Sequence, residues 1–214
     1  MSPRVIGLGA GGHCRVLLDI LLRDREPAEL VLLDPDPRLH GQSLYGVPIL
    51  GADECLEAFK ALGANHFFVG AGSAGNLGLR RRLFRLGQAA GLQPLEVAHP
   101  SAQLSGRSER GPGLTAMAGV VVNAGACLGA NVVLNTAAIV EHDCRISDHV
   151  FLAPGALVMG GVAIGEGAFL GAGCVIRQGL QIGEGALVAA GAIVVRDVLA
   201  GDQVGGVPAH PLSR

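Results

Sequence analysis

Two histidines lie among residues that could put an imidazole to use, His142 and His13. His142 is followed by Asp143, and the pair Gly160-Gly161 stands eighteen residues further on. An imidazole is a general base near neutral pH, and a neighbouring carboxylate can fix its tautomer and stabilise its cation. A glycine brought over it leaves room for a ligand and bares a backbone N–H that can meet an oxyanion. The plainer reading of His142 is a solvated histidine on a loop. The run His142-Asp143-Cys144 also has the residue types of a metal cluster. Three consecutive side chains seldom converge on one ion, so no metal is expected. His149 has no such company and reads as a coil-surface residue.

His13 closes the run Gly9-Ala10-Gly11-Gly12, and Gly7-x-Gly9-x-x-Gly12 matches the dinucleotide fingerprint, with Asp34 at a fitting distance beyond it. A helix N-terminus with bare amides can hold a phosphate or diphosphate. Three readings stay open: NAD, another phosphate-bearing or sugar ligand, or a structural tight turn. The segment is about half a complete dinucleotide fold, which argues against NAD. His13 could donate to the ligand or be an ordinary helix residue. Asp34 could accept from a ribose or an amine, or simply cap the turn Asp34-Pro35-Asp36-Pro37.

The elements that must position these groups fall into two regions. Strand-like Arg4–Leu8, helical Cys14–Leu22 and strand-like Leu30–Leu33 open the chain. Helical segments near Asp53–Leu62 and Leu77–Ala90 then alternate with strands at His66–Val69 and Leu95–Ala98. Such alternation predicts a small parallel α/β sheet, Rossmann-like, over residues 1–98. The run Arg80-Arg81-Arg82 reads as a solvated helix face. His99-Pro100 breaks the pattern.

From Leu104 to Val194 a Leu, Ile or Val falls on every sixth residue, with breaks only at Arg110 and Ala116. Four residues after each lead comes a second, smaller set, among them Ala126, Val132, Ala138, Cys144, Val150, Ala156 and Cys174. Neither a helix nor a plain strand has that beat; it is the period of a hexapeptide parallel β-helix, expected over residues 99–198, with 199–214 as a tail. Three hexads close one coil, so His142 stacks beneath Gly160, Gln178 and Arg196, and Asp143 beneath Gly161 and Gly179. Both residues fall at a corner outside the packed interior. The 34 glycines and 3% aromatics suit stacked coils with tight corners. Five cysteines without a C-x-x-C spacing, two of them at inward repeat positions, read as small buried hydrophobes. A net charge of −2 with no long basic run argues against nucleic acid, and no signal peptide or membrane-length apolar stretch is seen, so a cytoplasmic protein is expected.

Several of these runs are familiar together: Gly9-Ala10-Gly11-Gly12-His13, Asn135 through Cys144, Leu152-Ala153-Pro154-Gly155-Ala156, Gly160-Gly161 and Gly206-Val207-Pro208-Ala209. The chain resembles the NeuD/PglD/PerB family of sugar acetyltransferases nearly end to end. The resemblance implies a left-handed β-helix and an acetyl-CoA-dependent homotrimer with active sites between neighbouring β-helices. It makes His142 the catalytic base, Asp143 the acid that raises its basicity, and Gly160 the amide that meets the thioester carbonyl. Acetyl-CoA would pass Gly160, Gly161, Ala172 and Ala190. Gly11, Gly12, His13, Asp34, Pro35 and Gly72 would hold a UDP- or GDP-linked sugar, and Asn135 and Glu141 would shape the acceptor site. Phe151 stands where many members carry a second histidine against the cofactor. The implied reaction is direct N-acetylation of a nucleotide-linked 4-amino-4,6-dideoxy sugar, Cys144 pointing inward and so unsuited to an acyl-enzyme. The alternatives are O-acetylation, as of sialic acid, and a non-catalytic nucleotide-binding protein on a β-helix scaffold.

Overall fold

A computed structural model describes residues 4–72 and 77–212, and the chain divides into two compact units, Met1–Val97 and Ala98–Arg214. Each unit is built from its own periodicity.

The first unit opens with β1 (Val5–Leu8), α1 (Gly12–Leu21) and β2 (Leu30–Leu33). It continues with α2 (Leu56–Ala61), β3 (His66–Val69), α3 (Leu77–Ala89) and β4 (Gln93–Pro94). The four strands form one parallel sheet in the order β2-β1-β3-β4. Every residue of β1 and β2 is buried, as expected of parallel strands covered on both faces. Two details differ from the sequence expectation. The fourth strand is Gln93–Pro94, and Val97–Ala98 lies instead in the first sheet of the second unit. An unforeseen hairpin, Ser43–Leu44 with Val47–Pro48, turns through Tyr45-Gly46, both at positive φ.

The second unit is a left-handed parallel β-helix of about 6 turns. Its strands stack into three sheets of eight, six and five. Residues eighteen apart pair in parallel, as Val121 with Ile139 and Leu157 with Val175 show. The hexad has a backbone cause: the fourth place of each hexad from Gly113 to Gly191 has a positive φ, ten of them glycine and the rest Asn131, Ala137, Asp143 and His149. That left-handed residue turns the chain after each two-residue strand, and glycine adopts it without a Cβ penalty. The leads and the smaller set fill the interior, Leu134, Ala138, Cys144, Val150 and Ala156 each 0% exposed. Ala116, a break in the grid, is equally buried, whereas Arg110 is exposed on the end strand of its sheet.

Residues beyond 198 are not a simple tail. Gln203–Gly205 extends the eight-stranded sheet beside Leu187–Val188, and His210–Pro211 folds back antiparallel on it. Val198 and Val204 carry the apolar core up to that point.

Candidate active site

His142 and Asp143 occupy the corner between Ile139–Val140 of the six-stranded sheet and Arg145–Ile146 of the five-stranded sheet. Asp143 is the left-handed residue of that corner, with φ 60°, a conformation aspartate tolerates through its short polar side chain. Its carboxylate Oδ2 lies 2.9 Å from His142 Nδ1. A carboxylate only accepts, so the ring proton is assigned to Nδ1 and the lone pair to Nε2.

Nε2 is aimed along the stack. A Cβ on Gly160 would lie 2.5 Å from Nε2 and 2.6 Å from Cε1. One coil the other way, a Cβ on Gly125 would run into Asp143 Oδ1. Glycines thus bracket the dyad on both sides. The N–H of Gly161 donates to the His142 carbonyl at 2.9 Å and keeps the two coils in register. The Gly160 N–H has no acceptor among the described residues. Beside the dyad, Glu141 Oε2 accepts from Asn123 Nδ2 at 2.9 Å, eighteen residues back.

Not every expected site residue gathers at this corner. Asn135, Ala172 and Ala190 follow strands of the eight-stranded sheet and lie at the corner it shares with the six-stranded sheet. Within one chain the whole six-stranded face separates them from His142. From Val121 onward the outward side chains of that face are aliphatic, Val121, Ile139, Leu157 and Val175 half-buried and Ile193 exposed, and on its first strand the outward residue is the exposed Gln103. Phe151 is buried, its ring 5.6 Å from that of Phe169 in a stacked arrangement on the eight-stranded sheet. His149 is half-buried rather than simply solvated, with Nδ1 2.9 Å from Asn131 Nδ2.

The first unit forms a second cluster, at the C-terminal edge of its sheet. Gly9 turns the chain at φ 98°, and a Cβ there would press on the Ala71 backbone at 2.9 Å. Gly11 and Gly12 are exposed, with open space where side chains would be, at the uncapped N-terminus of α1. Asp34 does more than cap its own turn. Its Oδ1 accepts from Asp36 N at 2.9 Å and its Oδ2 from Ala10 N at 2.8 Å, so it pins the glycine loop. Pro35 and Gly72 are exposed, and a Cβ on Gly72 would touch the His13 Cβ at 3.4 Å.

Arg80 corrects the sequence reading of its arginine run. It is only 4% exposed, and its Nη1 donates to the carbonyls of Ala71 and Val69 (the latter at 3.2 Å) and stands 3.4 Å from His13 Nε2. Arg82 is exposed and pairs with Asp53 at 2.8 Å. Helical spacing carried the signal: Arg80 shares a stripe with buried Leu83, Phe84 and Gly87, at steps of three, four and seven. Burial, and then the Arg80 charge, push the His13 imidazole down to about 3. Gly125 and Asn123 were also missed; the eighteen-residue offset applied backwards from Asp143 and Glu141 finds both.

The cysteine beside the dyad is turned away from it. Cys144 is 0% exposed, its Sγ donates to the Met159 carbonyl at 3.2 Å, and burial raises its thiol. With Cys144 inward and His142 and Asp143 outward, the three do not converge on an ion. No helix among the described residues is long and apolar enough to cross a membrane.

Comparison with known proteins places this geometry. Residues 4–85 match the PglD N-terminal domain and residues 143–178 the bacterial transferase hexapeptide repeats. The chain is 34% identical to GDP-perosamine N-acetyltransferase from Caulobacter crescentus, with a TM-score of 0.91 over 98% of this chain and 97% of that one. That structure is a histidine-to-alanine mutant in complex with CoA and GDP-perosamine. The acetyltransferase domain of PglB from Neisseria gonorrhoeae, in complex with acetyl coenzyme A, is 35% identical with a TM-score of 0.88, covering 98% of this chain and 100% of that one. WeeI from Acinetobacter baumannii is 28% identical with a TM-score of 0.85, covering 97% and 99%. An α/β head followed by a hexapeptide β-helix is the build of these relatives, a class of CoA-dependent sugar acetyltransferases. The chain belongs to the NeuD/PglD/PerB family of that class.

Proposed function

We propose that the chain N-acetylates the 4-amino group of a nucleotide-linked 4-amino-4,6-dideoxy sugar, with acetyl-CoA as donor and His142 as general base. The observation that carries this reading is His142 Nε2 held against Gly160 while Nδ1 is engaged by Asp143. Nε2 takes the proton of the attacking amine, directly or through one water, and Asp143 stabilises the resulting imidazolium. The Gly160 N–H meets the oxyanion of the tetrahedral intermediate. The C–S bond then breaks, the imidazolium returns its proton to the departing sulfur, and CoA leaves as the thiol with the base restored. Asn135 and Glu141 are assigned to the acceptor, Gly160, Gly161, Ala172 and Ala190 to the CoA chain, and Phe151 to its border. Gly11, Gly12, His13, Asp34, Pro35 and Gly72 are assigned to the nucleotide sugar.

The working form is a homotrimer. His142 and Asp143 have side chains 56% and 72% exposed in one chain, too open to hold reactants away from water. Ala172 and Ala190 lie across the apolar six-stranded face. Packing that face against a neighbour brings the His142 corner of one copy to the Ala172 corner of the next and covers its aliphatic ladder. The protein is assigned to the cytoplasm, where nucleotide sugars and acetyl-CoA are available, and no metal has a part in the reaction.

The test is CoA thiol release from acetyl-CoA with GDP-, UDP- and dTDP-linked 4-amino sugars, GDP-perosamine among them, beside free and nucleotide-linked sialic acid. Turnover on an amino sugar with an amide product supports the proposal. Silence on every amine with turnover on sialic acid would make the enzyme an O-acetyltransferase.

A further inference from the structure

The buried Arg80 guanidinium has no counterpart in the mechanism above. It is the fourth residue of α3, and its guanidinium bonds the Val69 and Ala71 carbonyls at and just beyond the end of β3. These carbonyls flank Gly70, where a Cβ would strike the Gly9 carbonyl and Cys14. One side chain therefore holds the segment Val69–Ala71 against the glycine loop that follows β1. The third group within its reach is His13 Nε2, at 3.4 Å.

An arginine has donors and no acceptor, so the nitrogen facing it must carry a lone pair. We propose that Arg80 is a positioning residue of the nucleotide-sugar site, holding His13 as a neutral imidazole protonated on Nδ1. This rests on the reading that the first unit holds the nucleotide sugar. Its consequence is chemical: His13 meets an oxygen acceptor of that ligand as a neutral donor in a fixed ring orientation, and the charge at the site belongs to a guanidinium buried behind it. The depressed imidazole is consistent with this, since burial and Arg80 both oppose a second proton. Gly72, the neighbour of His13 on the opposite loop, brings no charge of its own.

Three measurements on the full-length protein decide the matter. Long-range ¹⁵N NMR of the wild type, with His13→Ala used for assignment, is expected to show His13 protonated on Nδ1 and bare on Nε2, unchanged from pH 5 to 8. The KM for GDP-perosamine, or for the panel acceptor turned over fastest, is expected to rise on the order of tenfold in Arg80→Met and in His13→Ala, the scale of one charge-assisted hydrogen bond. The KM for acetyl-CoA and the kcat should hold, and the double variant should add little to either single one. An Nε2-protonated or titrating His13 in the wild type overturns the proposal whether or not Arg80→Met folds. A raised acceptor KM in His13→Ala with none in folded Arg80→Met also overturns it and leaves the head as the sugar site. An unchanged acceptor KM in His13→Ala removes the reading of the head, and the proposal with it.

Discussion

The ring of His142 lies so close over Gly160 that a methyl group there would stand 2.5 Å from Nε2. The glycine is therefore part of the base: it sets how near the imidazole comes to the next coil, where the Gly160 N–H is also found. Gly160→Ala is expected to displace the ring and lower kcat by about 10²-fold, the scale of an ångström of misplacement at a reacting group. The melting temperature should hold, because Gly160 is not one of the left-handed corner residues. Steady-state kinetics beside a thermal melt would check this, and a full-rate Ala variant would remove the steric argument.

Complementation between two inactive variants tests the shared site. His142→Ala damages one corner, and Ala172→Trp would block the corner on the other side of the six-stranded face. Each alone should be inactive. Mixed, denatured and refolded together, they should regain activity through sites that pair an intact His142 corner from one copy with an intact Ala172 corner from another. No recovery in mixed oligomers would mean that each site is built within one chain.

Charge on the aliphatic ladder should undo assembly. Leu157 sits mid-face with Ile139 and Val175 as its stacked neighbours. Leu157→Lys points outward and leaves the interior untouched, so the coil should keep its circular dichroism while light scattering reports monomers. Activity should fall with the trimer. A Leu157→Lys variant that remained an active trimer would place the interface elsewhere.

Acid should loosen the first unit through His13. Its imidazole falls from an ordinary 6.5 to about 3 in the folded chain, so between those values the unfolded chain binds the additional proton. Stability therefore rises with pH across that window; the contribution is complete above 6.5 and is lost as pH falls toward 3. Urea melts from pH 7 to pH 4 should show the loss, and His13→Phe should show less of it. An equal slope in both proteins would mean that other groups dominate.

Much of this was legible in the sequence because the β-helix is nearly one-dimensional. Period six gave the interior, and period eighteen gave the stack of Gly160 on His142 without any coordinates. The same arithmetic, run backwards, would have found Gly125 and Asn123. It also sets Ala172 and Ala190 on another corner, since they lie 30 and 48 residues beyond His142 and neither is a whole number of coils away. Arg80 was hidden. Three consecutive arginines look solvated, but a helix sends only one of them to the stripe with Leu83 and Phe84, and the carbonyls that satisfy it come from β3 and the loop beyond. Asp34 held two readings in sequence, ligand acceptor or turn cap. The structure shows the cap and a bond to Ala10 that no local pattern announces, and the acceptor reading stays with the proposed function.

The most direct measurement is single-turnover acetyl transfer to a nucleotide-linked 4-amino sugar by the wild type and by His142→Ala, with acetyl-CoA binding followed in parallel by calorimetry. A loss on the order of 10²–10⁴-fold in the transfer rate with acetyl-CoA still bound is the result expected of a general base. Transfer at the wild-type rate by the alanine variant would contradict the account, and the corner histidine would then be a bystander.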